Sequence, residues 1–162
     1  MAASATSTTL RRAFDAHFEE TRVHVERLEL LLRKLDAGAH NRPCEAIRGL
    51  IAEGRRRIAE TERGEVLDAA LIASAQRIEH YEIAVYGCAR TFAQTLGDDD
   101  ARKLLQQTLD EEGAADHRLT KIAEHGINRG AGEDLRADTD EQRARLHYVP
   151  ASRVPDFKYR EF

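Results

Sequence analysis

Two segments of the sequence place carboxylates on helical faces that are otherwise apolar. When successive residues are set about 100° apart, Glu82 falls at the centre of the apolar arc of the segment 76–87, and Glu79 falls at its edge. In a later segment, Glu112 occupies the centre of an apolar arc and Asp116 shares that face. A buried carboxylate is costly unless it is protonated, paired with a base or bound to a cation. Each of these positions therefore needs a specific chemical partner.

A third segment brings imidazoles to the same interior. His17 and His24 lie within one apolar stripe, and Glu20 lies between them, nearer the edge of the stripe. Side chains three or four residues apart project from one helical face, so each segment can offer a pair of ligands to neighbouring ions. Carboxylates and imidazoles are ligands suited to iron, manganese and zinc. The sequence therefore predicts a metal site inside the fold, with these candidate ligands: His17, Glu20, His24, Glu79, Glu82, Glu112 and Asp116.

Each of these residues also has an interpretation that needs no metal. A single histidine on an apolar face is usually a core residue whose ring nitrogens are hydrogen-bonded. An inward glutamate can pair with Arg22 or Arg90, or bond the hydroxyl of Tyr86. The combination of four inward carboxylates, with Glu20 as a fifth, favours the metal site because like charges repel strongly in a low-dielectric interior.

The elements that must position these residues are helices. Apolar residues recur every three or four positions from Leu10 to Ile127, and no segment there alternates as a strand does. Glycines follow the apolar pattern at the predicted helix ends. The predicted helices cover residues 8–38, 41–64, 65–96 and 98–126. Four amphipathic helices with short connections predict an all-α fold, a four-helix bundle.

The predicted bundle occupies only part of the chain. We expect residues 1–8 to be a flexible N-terminus and residues 9–127 to form the bundle. The composition turns polar in residues 128–162, which predicts a flexible arm that leads to an aromatic tail. Aromatic residues that return at a polar end indicate docking on the bundle or on a neighbouring subunit, and a partly disordered end is the alternative. The tail aromatics are Tyr148, Phe157, Tyr159 and Phe162.

Composition excludes several classes of protein. The 162 residues suffice for one domain with a core, and 41% hydrophobic with 33% charged residues is typical of a soluble, helix-rich protein. A formal net charge of −4 argues against a general nucleic-acid binder. No apolar run approaches the length of about 18 residues that spans a bilayer, and the N-terminus lacks the features of a secretion signal. We therefore expect a cytoplasmic protein with no nucleic-acid or membrane partner, in which Cys44 and Cys88 form neither a disulfide framework nor a metal site.

Four stretches of the sequence carry a family resemblance. They are HFEETRVHVERLE (17–29), CEAIRGLIAEG (44–54), DAALIASAQRIEHYEIAVYG (68–87) and LLQQTLDEEGAADHRLT (104–120). In order and spacing, over residues 8–125, they resemble the YciF/YciE-type stress proteins of the ferritin-like superfamily. The resemblance implies a ferritin-like four-helix bundle, often dimeric, with a dinuclear iron or manganese centre. The ligands that it implies are Glu20, His24, Glu79, Glu82, Glu112 and Asp116, with His17 as a further ligand or as a residue that orients one.

The sequence differs from that family at its N-terminal end. Typical relatives have an additional helix before the position of residue 8, and that helix supplies a further carboxylate. The sequence has no counterpart of it ahead of Thr8. An uncovered face of the bundle favours a homodimer in which a second subunit covers it.

These expectations lead to one functional interpretation and two alternatives. The first is a cytoplasmic, stress-associated protein whose dinuclear iron or manganese centre reacts with peroxide or dioxygen. The second is a non-catalytic, dimeric helical-bundle module with a degenerate or metal-free site. Iron storage in a hollow shell ranks last because no residue pattern specifies a cage. The sequence leaves open which metal is bound and whether the protein is an enzyme.

Overall fold

A computed structural model describes residues 1–36 and 43–137 of the chain. A 3-10 turn (Ala2–Ser4) precedes the first helix, and a π-helical turn (Ala123–Ile127) joins the fourth helix to the fifth. Within the described ranges no residue is in a strand. The predicted fold class, an all-α ferritin-like four-helix bundle, is confirmed. The helices are α1 (Thr8–Lys34), α2 (Glu45–Glu60), α3 (Glu65–Thr95), α4 (Asp99–Ile122) and α5 (Asn128–Ala137).

The central helix, α3, packs against α4 along much of its length and also contacts α2 and α5. Two apolar clusters form along the α3 and α4 pair. One gathers around Leu10, Leu71 and Leu119, and the other around Tyr86 and Leu105. Between them lies a layer of polar side chains, which we call the polar layer: the buried His24, Glu79 and Glu112 and the half-buried His17. The apolar clusters therefore hold the helices at fixed positions on both sides of the polar residues.

The N-terminal segment packs on the bundle, although the composition predicted a flexible end. Asp68, buried in the first turn of α3, accepts hydrogen bonds of 2.7 Å from the backbone N–H groups of Thr6 and Ser7. The side chain of Ser7 then accepts from the N–H of Leu10 and caps α1. Ala5 is also fully buried, Met1 packs against the same apolar cluster, and Arg63 donates to the carbonyl oxygen of Ala3.

Residues 128–137 form α5, where the composition predicted a flexible arm. Ile127 and Ala131, four residues apart, are both buried, and α5 packs on α3. Gly130 lies at this contact, next to the exposed side chain of Glu65. Small residues therefore supply the close packing that a count of large apolar residues overlooks. The predicted aromatic tail lies outside the described residues.

The apolar stripes of α1 and α3 are wider than the neighbouring helices cover. Phe18 (63%) and Val25 (51%), which the periodicity of α1 assigned to the interior, are exposed, and so is Phe92 (67%) on α3. A groove of about 540 Å³ opens between α1, α2 and α3, with Phe14 and Ile51 in its walls.

Among helices of the described ranges, none is long and apolar enough to cross a membrane.

Candidate metal centre

Three side chains from three helices converge in the polar layer. His17 comes from α1, Glu79 from α3 and Glu112 from α4. The Nε2 atom of His17 lies 3.2 Å from Oε1 of Glu79 and 3.6 Å from Oε2 of Glu112. One ligand atom from each residue falls within 4.8 Å of the others, which is close enough for a shared metal ion. The prediction that helices distant in sequence direct imidazole and carboxylate groups to one point therefore agrees with the geometry.

The second histidine approaches the same carboxylate from its other side. Nδ1 of His24 lies 2.9 Å from Oε1 of Glu112, so Glu112 stands between the two imidazoles. Despite this proximity, neither of those two atoms makes a hydrogen bond among the described residues, and the same is true of Oε2 of Glu112 and of Glu79. Glu112 has no exposed surface at all. Buried polar atoms without partners are rare, and here they converge on the position where a cation would satisfy them.

Burial and like charge determine how this layer holds protons. Burial raises the pKa of Glu112 to about 9, with further contributions from the adjacent carboxylates of Glu79 and Glu82. Burial by itself lowers the pKa of His17, but contacts with Glu79, Glu20 and Glu112 outweigh it and raise the value to about 9. Burial lowers the pKa of His24. Without a cation, the layer therefore relies on protons on Glu112 and His17 to limit its charge.

The relative depth of the two acids on α3 is the reverse of the prediction. Glu79, placed at the edge of the apolar arc by the sequence, is buried (3% exposed), whereas Glu82, placed at its centre, is only half-buried. Ile78 and Glu82, which both belong to the apolar arc of α3, line the groove between α1, α2 and α3, so the centre of the arc points toward the groove instead of toward α4. Burial and the charge of Glu79 raise the pKa of Glu82. Glu82 therefore borders the candidate centre on the groove side.

Two other predicted ligands are engaged elsewhere. Glu20 lies at the edge of the layer, where its Oε2 atom is 3.2 Å from Nδ1 of His17 and accepts a 2.6 Å hydrogen bond from Arg118. Asp116 accepts a 3.0 Å hydrogen bond from the amide of Gln76 and lies outside the group of converging ligand atoms. The structure thus brings together His17, Glu79 and Glu112, places His24 against Glu112, and leaves Glu20 and Asp116 with other partners.

The sequence interpretation missed Glu111 and Arg27. Oε2 of Glu111 lies 2.8 Å from Nε2 of His24, and Arg27 donates to both carboxylate oxygens of Glu111. Chiefly because of Arg27, the pKa of Glu111 falls to about 2. The sequence did contain a signal for Glu111. Asp110, Glu111 and Glu112 are consecutive acids on a helix, so their side chains point in three different directions. When Glu112 is buried, an adjacent acid therefore lies beside the buried position.

The metal-free protein is expected to lose stability as the pH rises through the neutral and mildly alkaline range. Glu112 and His17 have pKa values of about 9 when folded, against ordinary values of 4.5 and 6.5. Between 6.5 and 9 the folded state therefore keeps protons that the unfolded chain releases, and the free energy of unfolding falls. Glu111 affects stability at low pH, because its pKa falls from an ordinary value of 4.5 to about 2 in the folded state. The stabilisation that its ionised form supplies is complete above pH 4.5 and is lost as the pH falls through about 2.

Urea unfolding in the presence of a chelator measures this profile. We expect stability to be highest near pH 4.5, to decline above it as Glu112 of the unfolded chain releases its proton, and to decline more steeply above 6.5, where His17 of the unfolded chain does so as well. A free energy of unfolding that stays constant from pH 6.5 to 9 would contradict the assignment of shared protons to the polar layer.

Comparisons with known proteins give a consistent result. Residues 1–132 match the model of a family described as a domain of unknown function (DUF892). The protein YciF of Escherichia coli (strain K12) is 43% identical to this chain over 132 residues, which are 81% of this chain and 80% of that protein. The crystal structure of the E. coli stress protein YciF superposes with a TM-score of 0.75 at 44% identity, covering 78% of this chain and 80% of that one. A putative structural protein from Rhodopseudomonas palustris, YcfI, superposes with a TM-score of 0.70 at 40% identity, covering 74% and 76%.

Proposed function

Since this chain belongs to the DUF892 family of YciF-type stress proteins, we propose that it binds a dinuclear iron or manganese centre in the polar layer and reacts there with peroxide or dioxygen. The observation that carries the proposal is the environment of Glu112. Its carboxylate is fully buried between two imidazoles and a second acid, and both of its oxygens lack hydrogen bonds among the described residues. A structural polar network would normally satisfy such a group.

We infer that the donors of the polar layer serve two neighbouring ions. His17, Glu79 and Glu112, whose ligand atoms converge, would hold the first ion. His24, which lies 2.9 Å from Glu112, and the half-buried Glu82 would help to hold the second. Carboxylates that bridge two metals inside a helical bundle are an established arrangement. Bound iron or manganese would supply Lewis acidity and electron exchange toward an oxidant.

The chain's own residues would control protons and water at this centre. Ligand atoms must be deprotonated, so metal binding has to displace the protons held by Glu112 and His17. Tyr86 closes the layer on one side, with its ring centroid 6.3 Å from that of His24. Burial and the charges of Glu82 and Glu112 raise the pKa of Tyr86 to about 12, so its hydroxyl keeps its proton. The groove lined by Glu79 and Glu82 offers a small oxidant a route from solvent.

Metal analysis of the purified, reconstituted protein tests the proposal directly. We expect about two iron or manganese ions per chain. Manganese at about one hundred times its dissociation constant should stabilise the native state by about 2.7 kcal/mol, which raises the melting temperature by roughly 5–10 °C. Magnesium serves as the control cation, because it prefers oxygen-only coordination with retained waters. If the chain takes up no iron or manganese after reconstitution, the proposal is wrong.

The second candidate function is a metal-free module, and one observation favours it. A protonated His17 between Glu20, Glu79 and Glu112 is a partly satisfied network without any cation. In that case the melting temperature would not respond to manganese, and activity would reside in the surface of the bundle. The same titration therefore separates the two candidates.

We also propose that the protein forms a homodimer through the exposed apolar stripes of α1 and α3. Support comes from the size of the exposed side chains, since Phe18, Val85 and Phe92 leave 63%, 45% and 67% of their surface accessible. Val85 and Phe92 line one apolar surface on α3, and a large exposed apolar surface typically marks an interaction site. A symmetric contact would cover the same stripe on both subunits.

Replacing Phe92 with glutamate is expected to dissociate this dimer, because a charge would be buried at the contact. Sedimentation velocity across a concentration series provides the measurement. Leu135→Glu is the matched control, since Leu135 is also exposed but lies on α5, away from the stripe. A wild-type protein that sediments as a monomer at all concentrations, or equal dissociation by both substitutions, would rule out this interface.

A further inference from the structure

Each histidine of the polar layer has a carboxylate on the ring nitrogen that faces away from the layer. Nε2 of His24 is 2.8 Å from Oε2 of Glu111, and Nδ1 of His17 is 3.2 Å from Oε2 of Glu20. Both carboxylates are held by an arginine of the opposite helix. Arg27 of α1 binds Glu111 of α4, and Arg118 of α4 binds Glu20 of α1. Both arrangements therefore connect α1 with α4, and the arginine comes from α1 in one and from α4 in the other.

The hydrogen-bond partners of Glu111 keep its carboxylate ionised, so that it has no proton to donate. Arg27 donates to both oxygens, with a distance of 3.0 Å to Oε1, and Gln107 donates to Oε1 at 3.1 Å. Arg27 is itself fixed by a 3.1 Å hydrogen bond to the hydroxyl of Thr108. A carboxylate surrounded by donors is ionised and can only accept. The hydrogen of His24 must therefore reside on Nε2.

This hydrogen bond decides which nitrogen of His24 can bind a metal. A neutral imidazole carries one N–H group and one lone pair. With the proton on Nε2, the lone pair is on Nδ1, the atom that lies 2.9 Å from Glu112. If the proton were on Nδ1, the ring would present a hydrogen to the centre and could not coordinate an ion there.

Glu20 stands in the same relation to His17. Its Oε2 atom accepts from Arg118 at 2.6 Å and faces Nδ1 of His17. Nε2 of His17 is then directed toward Glu79 and Glu112. The contacts of Glu20 are therefore those of a residue that orients a ligand.

We propose that the pairs Glu111–Arg27 and Glu20–Arg118 are positioning pairs, which hold His24 and His17 in the tautomers that turn Nδ1 and Nε2, respectively, toward Glu112. Glu20 is thus assigned to the support of the centre instead of to its ligands. The role of these pairs in metal binding rests on the proposed function, whereas the tautomer of His24 is a property of the metal-free protein. General experience with metal sites gives such supporting carboxylates an effect of about 10–100-fold on metal affinity.

Long-range proton–nitrogen NMR correlations at the histidine rings test the tautomer without any metal. At neutral pH we expect His24 of the full chain to carry its hydrogen on Nε2. In Glu111→Gln, the side-chain amide can donate to Nε2, and the spectrum should show a substantial Nδ1–H population. Asp110→Asn is the matched control, since Asp110 is the adjacent acid and is exposed. A wild-type ring protonated on Nδ1, or a tautomer that is unchanged in Glu111→Gln, would overturn the proposal.

Manganese affinity, measured by competition with a chelating dye, tests the assignment of Glu20. Glu20→Gln and Glu111→Gln should each weaken binding about 10–100-fold, while Glu19→Gln, whose carboxylate pairs with Arg22 at the surface, should leave it unchanged. Loss of binding in Glu20→Gln as complete as in Glu112→Gln would identify Glu20 as a ligand and overturn its assignment. If the wild-type chain binds no metal, the proposed function fails, and the NMR experiment still decides whether Glu111 sets the tautomer of His24.

Discussion

Replacing Glu112 with glutamine is expected to abolish the response of the protein to metal and, at the same time, to stabilise the metal-free fold. In the metal-free protein this buried acid has a pKa of about 9, so its ionisation at neutral pH is already suppressed at a cost to folding. Glutamine is neutral and has nearly the same shape, and its amide can donate to the unsatisfied Oε2 of Glu79. We expect the free energy of unfolding at pH 7 to rise by roughly 2–4 kcal/mol.

Urea unfolding in chelator, followed by thermal unfolding with and without manganese, measures both effects on one protein sample. The opposite signs make the experiment specific, because a residue that only fills space in the core would give no stabilisation and no loss of metal response. Asp110→Asn, a surface acid two residues away on the same helix, controls for the change in net charge. A variant that still gains stability from manganese would show that Glu112 is not a ligand.

Replacing Asp68 with alanine is expected to detach the N-terminal segment from the bundle. The carboxylate accepts the backbone N–H groups of Thr6 and Ser7 at 2.7 Å each, and it is almost fully buried. Its removal leaves two donors without partners and a small cavity beside Leu10. Since an unsatisfied buried group costs about 1–3 kcal/mol, we expect the free energy of unfolding to fall by roughly 2–5 kcal/mol.

Hydrogen exchange locates this effect. The amides of residues 6–10 should lose protection in Asp68→Ala more than those of the α3 core do. Asp68→Asn keeps one acceptor in the same position and should lose about half as much stability, which separates the hydrogen bonds from the packing. Equal protection in residues 6–10 of the wild-type and alanine proteins would show that Asp68 does not hold the segment.

The helical elements were predictable because their causes are local. Apolar residues at steps of three and four indicate helices without reference to any neighbour, and the limits of α3 and α4 agree with the glycine and aspartate signals at residues 64, 97 and 98. α5 was not predicted, since the residues that attach it, such as Ala131, are small and are buried only by the tertiary contact with α3. The packing of residues 1–7 was missed for the same reason, because Asp68 is far from them in sequence.

The candidate ligands were only partly predictable. The unusual positions of Glu112 and the two histidines are visible on an ideal helical wheel, since each falls within an apolar arc. A helical wheel does not show which part of a broad apolar arc contacts another helix. It therefore predicted that Glu82 is more deeply buried than Glu79, and the structure shows the reverse. It also cannot recognise that an inward carboxylate is already bound by an arginine of another helix, as Glu20 is by Arg118.

The sequence by itself determined that this protein is a helical bundle with acids and imidazoles in its interior, because periodicity and residue chemistry are properties of single segments. Only the tertiary structure decided which of those groups meet. That choice depends on how α1, α3 and α4 are rotated about their axes and set along one another, and the two apolar clusters on either side of the polar layer fix both quantities. Packing therefore decides which of the seven predicted residues converge on the centre, border it or orient a ligand, and it leaves Asp116 outside the centre.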